Sequence, residues 1–249
     1  MIRIHQLAIC AILTGAAFVF AGRPAPMMLK LTASVAQLEA AIARNVTALE
    51  TLLAEEKNFS DNLTRDKISA KAASIAGLAQ AILDHPDAES AKSLGNYVRE
   101  SAKRLADSDS YANAKLRLGE VKLALSGKPL GYDALAEDDW YNVMTMEHMM
   151  EEMNQIQNDL RRTIRRSSDP EADSLDAVAA AVLAMACTEN LDYTADEKDE
   201  AAWKEMSTQL VNEYRLLGEA MRKKETKTAQ THHANAAKLC TACHDKFRE

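Results

Sequence analysis

The chain has 249 residues, with 30 basic and 37 acidic side chains, a formal net charge of −7, 47% hydrophobic residues, eight glycines and five prolines. The acidic balance argues against nucleic acid or an anionic membrane as partner. Few turn and strand formers stand beside abundant Ala, Leu, Glu, Lys and Met, which predicts a nearly all-helical protein.

Residues 1–21 are expected to be an export signal. A short basic start, Met1-Ile2-Arg3-Ile4-His5, leads into the apolar run Leu7 to Phe20, and Val19-Phe20-Ala21 suits a signal peptidase. The run is shorter than the roughly 20 residues of a membrane-spanning helix, and an uncleaved anchor is the alternative. Cys10 lies inside the run and reads as filler. Cleavage would remove one base, Arg3, leave a net charge of −8 and leave no membrane span. The expected location is the periplasm.

From Met27 the apolar positions Leu31, Val35, Leu38, Ile42, Val46, Leu49 and Leu53 step by three and four, a helical stripe. A second stripe, Ile68 to Ile82, closes at Asp84-His85-Pro86, where proline cannot continue a helix. Asp87 can cap a third, through Leu94, Val98 and Leu105. Ser108-Asp109-Ser110 starts a fourth, with Leu116, Leu118, Val121 and Leu125 as its apolar side. The turn-rich Ser126-Gly127-Lys128-Pro129-Leu130-Gly131 and the acidic Glu137-Asp138-Asp139 mark a boundary. This gives a four-helix unit at 22–126, a linker at 127–137 and a second unit at 138–249.

The second unit repeats the pattern. A long stripe runs from Trp140 to about Arg166 through Val143, Met146, Met149, Met150, Met153, Ile156, Leu160 and Ile164. Asp169-Pro170-Glu171 starts the next helix, through Leu175, Val178, Val182 and Met185 to about Asn190. After a loop at 191–196 come helices from Glu197 to Lys224 and from Thr226 to Phe247.

That last helix holds Cys240-Thr241-Ala242-Cys243-His244, the C-x-x-C-H signature of c-type haem attachment. Two cysteines three apart can both reach haem vinyl groups as thioethers, and the next histidine is then close enough to ligate the iron. On a helix all three share one face. The same residue types also bind zinc. Attachment would use two of the three cysteines beyond the signal and leave Cys187 as a small buried apolar residue. Ala112-Asn113-Ala114-Lys115-Leu116 and Asn235-Ala236-Ala237-Lys238-Leu239 share a composition and suggest duplication. Their alignment sets Arg117 opposite Cys240, Glu120 opposite Cys243 and Val121 opposite His244, so the first copy would hold no haem.

A C-x-x-C-H followed by Asp245-Lys246-Phe247-Arg248 at the end of a four-helix segment resembles the class II c-type cytochromes, cytochrome c′ and its low-spin relatives, over about residues 138–249. The resemblance implies an antiparallel four-helix bundle there with one covalent haem c; with the four-helix first unit and its internal copy, the expected fold is all-α, two tandem antiparallel four-helix bundles. It implies Cys240 and Cys243 as attachment residues and His244 as proximal iron ligand. It also implies a distal methionine on the first helix of the second unit. Met146 fits that place, with Met149, Met150 and His148 as alternatives, and high-spin members leave the place apolar. Most of these methionines would be packing in any case. His232, His233 and His85 read as satisfied or loop histidines, and Trp140 and Trp203 as bundle anchors.

With no catalytic triad, phosphate loop or distinct carboxylate pair, the leading expectation is a non-enzymatic electron carrier. Its partner would be another redox protein, and a homodimer is also admitted. The alternatives are a high-spin protein binding carbon monoxide or nitric oxide, and a helical interaction protein that senses redox state.

Overall fold

The computed structural model describes residues 26–88, 92–128, 130–134 and 139–248. The expected export signal at 1–21 lies outside them, as does part of the expected linker. The described residues are helical and contain no strand. The helices are α1 (Pro26–Thr32), α2 (Val35–Leu52), α3 (Glu56–Ser60), α4 (Asn62–Asp84), α5 (Lys92–Ala106) and α6 (Tyr111–Leu125), then α7 (Trp140–Val143), α8 (Met146–Arg166), α9 (Pro170–Asp173), α10 (Leu175–Glu189), α11 (Glu197–Arg222) and α12 (Thr226–Phe247). None among the described residues is long and apolar enough to cross a membrane.

Three expected helices are each cut in two. Ser34 separates α1 from α2 by a reciprocal cap: its hydroxyl accepts from Gln37 N at 3.3 Å while Gln37 Oε1 accepts from Ser34 N at 2.9 Å. Leu31 is left 66% exposed, outside the core stripe. Thr145 cuts α7 from α8 by accepting from His148 N at 3.3 Å. Asp169 caps the short α9 rather than a long helix, and Ser174 stands between α9 and α10. The core face of α6 agrees with the expected one at Leu118 and Val121 and differs at Leu116 and Leu125. Ala114, Leu118, Val121 and Ala124 are buried, while Leu116 and Leu125 are exposed.

In the first half α2, α4, α5 and α6 pack in succession, and α6 returns lightly to α2. In the second half α8, α10, α11 and α12 do the same, and α12 returns to α8. The halves meet where α4 lies on α8 and where α10 lies on α2 and α4, so one hydrophobic core runs through both. This is why α10 is buried almost all round from Leu175 to Thr188 and why its sequence is apolar on every face. At the crossing Gly77 leaves room for the Met144 methyl, which a Cβ there would displace. Charges fasten the seam: Lys71 Nζ lies 3.0 Å from Glu152 Oε1 and Arg44 Nη2 lies 2.9 Å from Asp176 Oδ2. Trp140 is an anchor here, its Nε1 donating to Asp84 Oδ2 at 2.7 Å.

His85 is buried in the loop that ends α4. Its Nδ1 accepts from Asp87 N at 3.1 Å, so its Nε2 carries the proton donated to Ala33 O, also at 3.1 Å. Within the expected linker, Tyr132 is tied to α5. Its hydroxyl is 2.8 Å from Ser101 Oγ and its ring lies 3.8 Å beneath the Arg104 guanidinium.

Candidate functional site

The turn into α12 passes through Lys224 at φ 60°, with Glu225 N donating to Ala220 O at 2.9 Å. Two histidines then fix the lie of the helix. His232 Nδ1 is 2.8 Å from Glu213 Oε2 on α11, and His233 Nε2 donates to Gln157 O on α8 at 3.0 Å. Near the other end Lys246 Nζ pairs with Asp199 on α11 at 3.1 Å. Both His232 and His233 are thus satisfied, as the sequence suggested.

The two contacts with α11 run α12 antiparallel to it, and in the up-and-down order of α8, α10, α11 and α12 the same sense holds against α8. Both helices rise by about 1.5 Å per residue. Counting on from the level of His233 and Gln157 brings Cys240 level with Met150, and His244 level with Met146. Met146, Met150 and Met153 share the face of α8 that also carries Gln157, while His148 stands about 200° round the helix from Met146. Met149 is turned toward α10, where its Sδ accepts from the Cys187 thiol at 3.9 Å. Met146, Met149 and Met153 are buried, and Met150 is half-buried against the core.

Cys240 and Cys243 lie one turn apart, both half-buried, and Cys243 and Phe247 pack on the core. His244 is exposed, and its ring makes no hydrogen bond among the described residues. Burial pushes the Cys240 thiol up to about 11, with Cys243 adding to the effect, and burial raises Cys243 as well. Cys187 is buried as expected. Its thiol is pushed up to about 12, first by burial and then by the neighbouring Cys243 and Cys240, so three thiols gather at this end of the second half. Trp203 secures the same place, its Nε1 donating to Cys187 O at 2.5 Å. The closeness of Cys187 and Trp203 to the motif is a tertiary relation with no local spacing to announce it.

A groove of about 580 Å³ lies beside α12, between it and α11, lined by Glu213, Leu216, Asn235, Lys238 and Leu239 among others. None of the three motif residues lines it. In α6 the residues aligned with the motif are arranged differently. Arg117 Nη1 contacts both carboxylate oxygens of Glu120, at 2.8 and 2.9 Å, and Val121 is fully buried.

No family model, curated protein or solved structure matches this chain.

Proposed function

We propose that the protein is an exported c-type cytochrome that holds one haem through Cys240 and Cys243, with His244 as proximal iron ligand, and serves in electron transfer. The observation that carries this reading is the arrangement at the end of α12. Two half-buried thiols stand one turn apart, Cys243 packed on the core, and beside them stands an imidazole with no competing hydrogen bond among the described residues. The donor set fits haem c, which asks for two thiols and a free imidazole at this spacing.

The space for the ring would lie along the seam of α8 and α12. That seam is the lighter of α12's two main contacts, since α11 carries most of its packing. Beyond Ala236 no residue of α12 is fully buried, although Leu239, Cys240, Cys243 and Phe247 could each cover an apolar surface. Met146 is the distal ligand in this reading, because it shares the level of His244 on the facing side of α8. Met149 is engaged by Cys187 and His148 points away, so neither is as well placed. When bound, haem iron supplies a one-electron couple, which a thioether opposite an imidazole biases toward the reduced state. The chain's own part is to fix the imidazole, present the thioether and keep water from the buried side of the site.

We read the two helix sets as tandem antiparallel four-helix bundles at 22–126 and 138–249, related by duplication, with the first free of haem. The Arg117–Glu120 pair and the buried Val121 support that difference. The export reading rests on the sequence of residues 1–21, and the partner is another redox protein.

The test is a covalent-haem stain on a denaturing gel, with absorption spectra of the purified protein in both oxidation states. A stained band and a sharp α-band on reduction are expected. An unstained band would overturn the reading. A stained band with a broad spectrum that shifts with carbon monoxide would instead make it a high-spin, gas-binding protein without Met146 on the iron.

A further inference from the structure

An exposed aromatic residue is joined to the motif helix by an aromatic ladder. Tyr193, in the loop between α10 and α11, is 51% exposed. Its ring stacks on Trp203 with 6.2 Å between centroids and 11° between planes. Trp203 is buried and meets Phe247 edge-on at 5.1 Å. Phe247 follows Cys243 by four residues, on the same face of α12. A tyrosine preorganised on such a base can anchor a protein contact with little loss of side-chain freedom. The loop itself is ordered, with Thr194 N and Oγ1 both donating to Leu191 O, at 3.0 and 2.7 Å.

The surroundings state the charge of what would dock. From Glu189 to Glu200 six acidic side chains meet a single base, Lys198. Some have local duties: Asp196 caps α11 by accepting from Asp199 N, Asp199 pairs with Lys246, and Glu200 lies 3.9 Å from Lys204. Asp192, next to Tyr193 in the loop, and Glu197, four residues on in the first turn of α11, are exposed and have no such duties among the described residues. The opposite end of the same half is basic, with Arg161, Arg162, Arg165 and Arg166 closing α8 and Lys223 and Lys224 following α11. A cationic surface is therefore drawn to the Tyr193 end and repelled by the other.

We propose that the face around Tyr193, with Asp192 and Glu197, is the docking surface for a redox protein with a lysine-rich patch. The redox character of the partner rests on the haem reading above, whereas the place and charge of the surface stand on the ladder and the acidic loop. Docking there would bring the partner to the aromatic ladder that ends one turn beyond Cys243.

The test is titration of the ¹⁵N-labelled full chain with lysine-rich mitochondrial cytochrome c, followed by amide and indole shifts. Shifts should gather on residues 191–200 and on the Trp203 indole N–H, and should fade by about 0.3 M salt. The combined Asp192→Asn, Tyr193→Ser and Glu197→Gln variant should weaken binding by about tenfold. Glu171→Gln at the far end should leave it unchanged. Shifts on the basic end or on the first half, absence of binding, or full affinity in the triple variant would each overturn the proposal. A negative haem stain would sink the haem reading alone, because these shifts are read without reference to haem.

Discussion

Helices α6 and α12 each close back on the first long helix of their half and share five residues of the same composition, 112–116 and 235–239, yet they end differently. The inward face of α6 is closed to its last turn by Leu118, Val121 and Ala124. The inward face of α12 is fully buried only at Ala229 and Ala236, and its final turns carry half-buried cysteines, a half-buried Phe247 and an exposed His244. One helix is finished by protein alone. The other ends in side chains whose chemistry is better suited to a cofactor than to a core. If the halves arose by duplication, packing at Val121 and an ion pair between Arg117 and Glu120 stand in the first where the motif residues stand in the second.

A reciprocal exchange gives the largest expected effect. Val121→His would place a larger, polar ring in a filled apolar site and should cost about 3 kcal/mol of stability. His244→Val in chain made without haem attachment should stay within about 0.5 kcal/mol, as exposed positions generally do. Urea unfolding of the two variants checks this. On the haem reading proposed above, the order should reverse in the spectrum: His244→Val should lose the proximal ligand and Val121→His should leave the absorption bands in place. Equal destabilisation of the haem-free chain by both would break the contrast between the two helix ends.

The sequence was most legible where one local signal decided the outcome. Pro86 after His85 ends α4, Ser110 opens α6, and Asp196 opens α11 by accepting from Asp199 N at 2.9 Å. It misled where two local signals competed. Apolar spacing runs on through Ser34 and Thr145, but each hydroxyl satisfies a free N–H at the start of a helix, and the cap wins over the period. On α6 leucine marked the inside only at Leu118, because Ala114 and Ala124 face the core with it and leave Leu116 57% exposed. At the motif, the spacing of Cys240, Cys243 and His244 could be read from the chain. The Cys187–Met149 contact and the Tyr193–Trp203–Phe247 ladder could not, since each joins helices far apart in sequence.

The methionines of α8 sharpen the contrast at an intermediate scale. Met149→Ala should leave a cavity beside Cys187 and cost about 3 kcal/mol, with the haem spectrum unchanged. Met146→Ala should convert a low-spin spectrum to a high-spin one, because Met146 alone among these methionines is level with His244. Thermal unfolding and spectra of the two variants separate packing from ligation. A spectral change in Met149→Ala would move the distal ligand one turn along α8 and away from the level of His244.

The smallest effect is expected at the pair that stands where the cysteines would be. Arg117 and Glu120 are neighbours on one helix, with side chains 28% and 18% exposed, so water screens their attraction. Arg117→Ala should therefore cost only about 0.5 kcal/mol. Cys240→Ala should be as mild in the haem-free chain, since the half-buried thiol makes no hydrogen bond among the described residues that the change would strand. In the haem-bearing protein the same change should remove one thioether link, seen as a shift of the reduced α-band in a pyridine haemochrome. Two intact links in Cys240→Ala would disprove the attachment assignment. A large loss of stability in Arg117→Ala would mean that the ion pair shapes the end of α6 as strongly as Val121 does, and the first half would then owe its closure to charge as well as to packing.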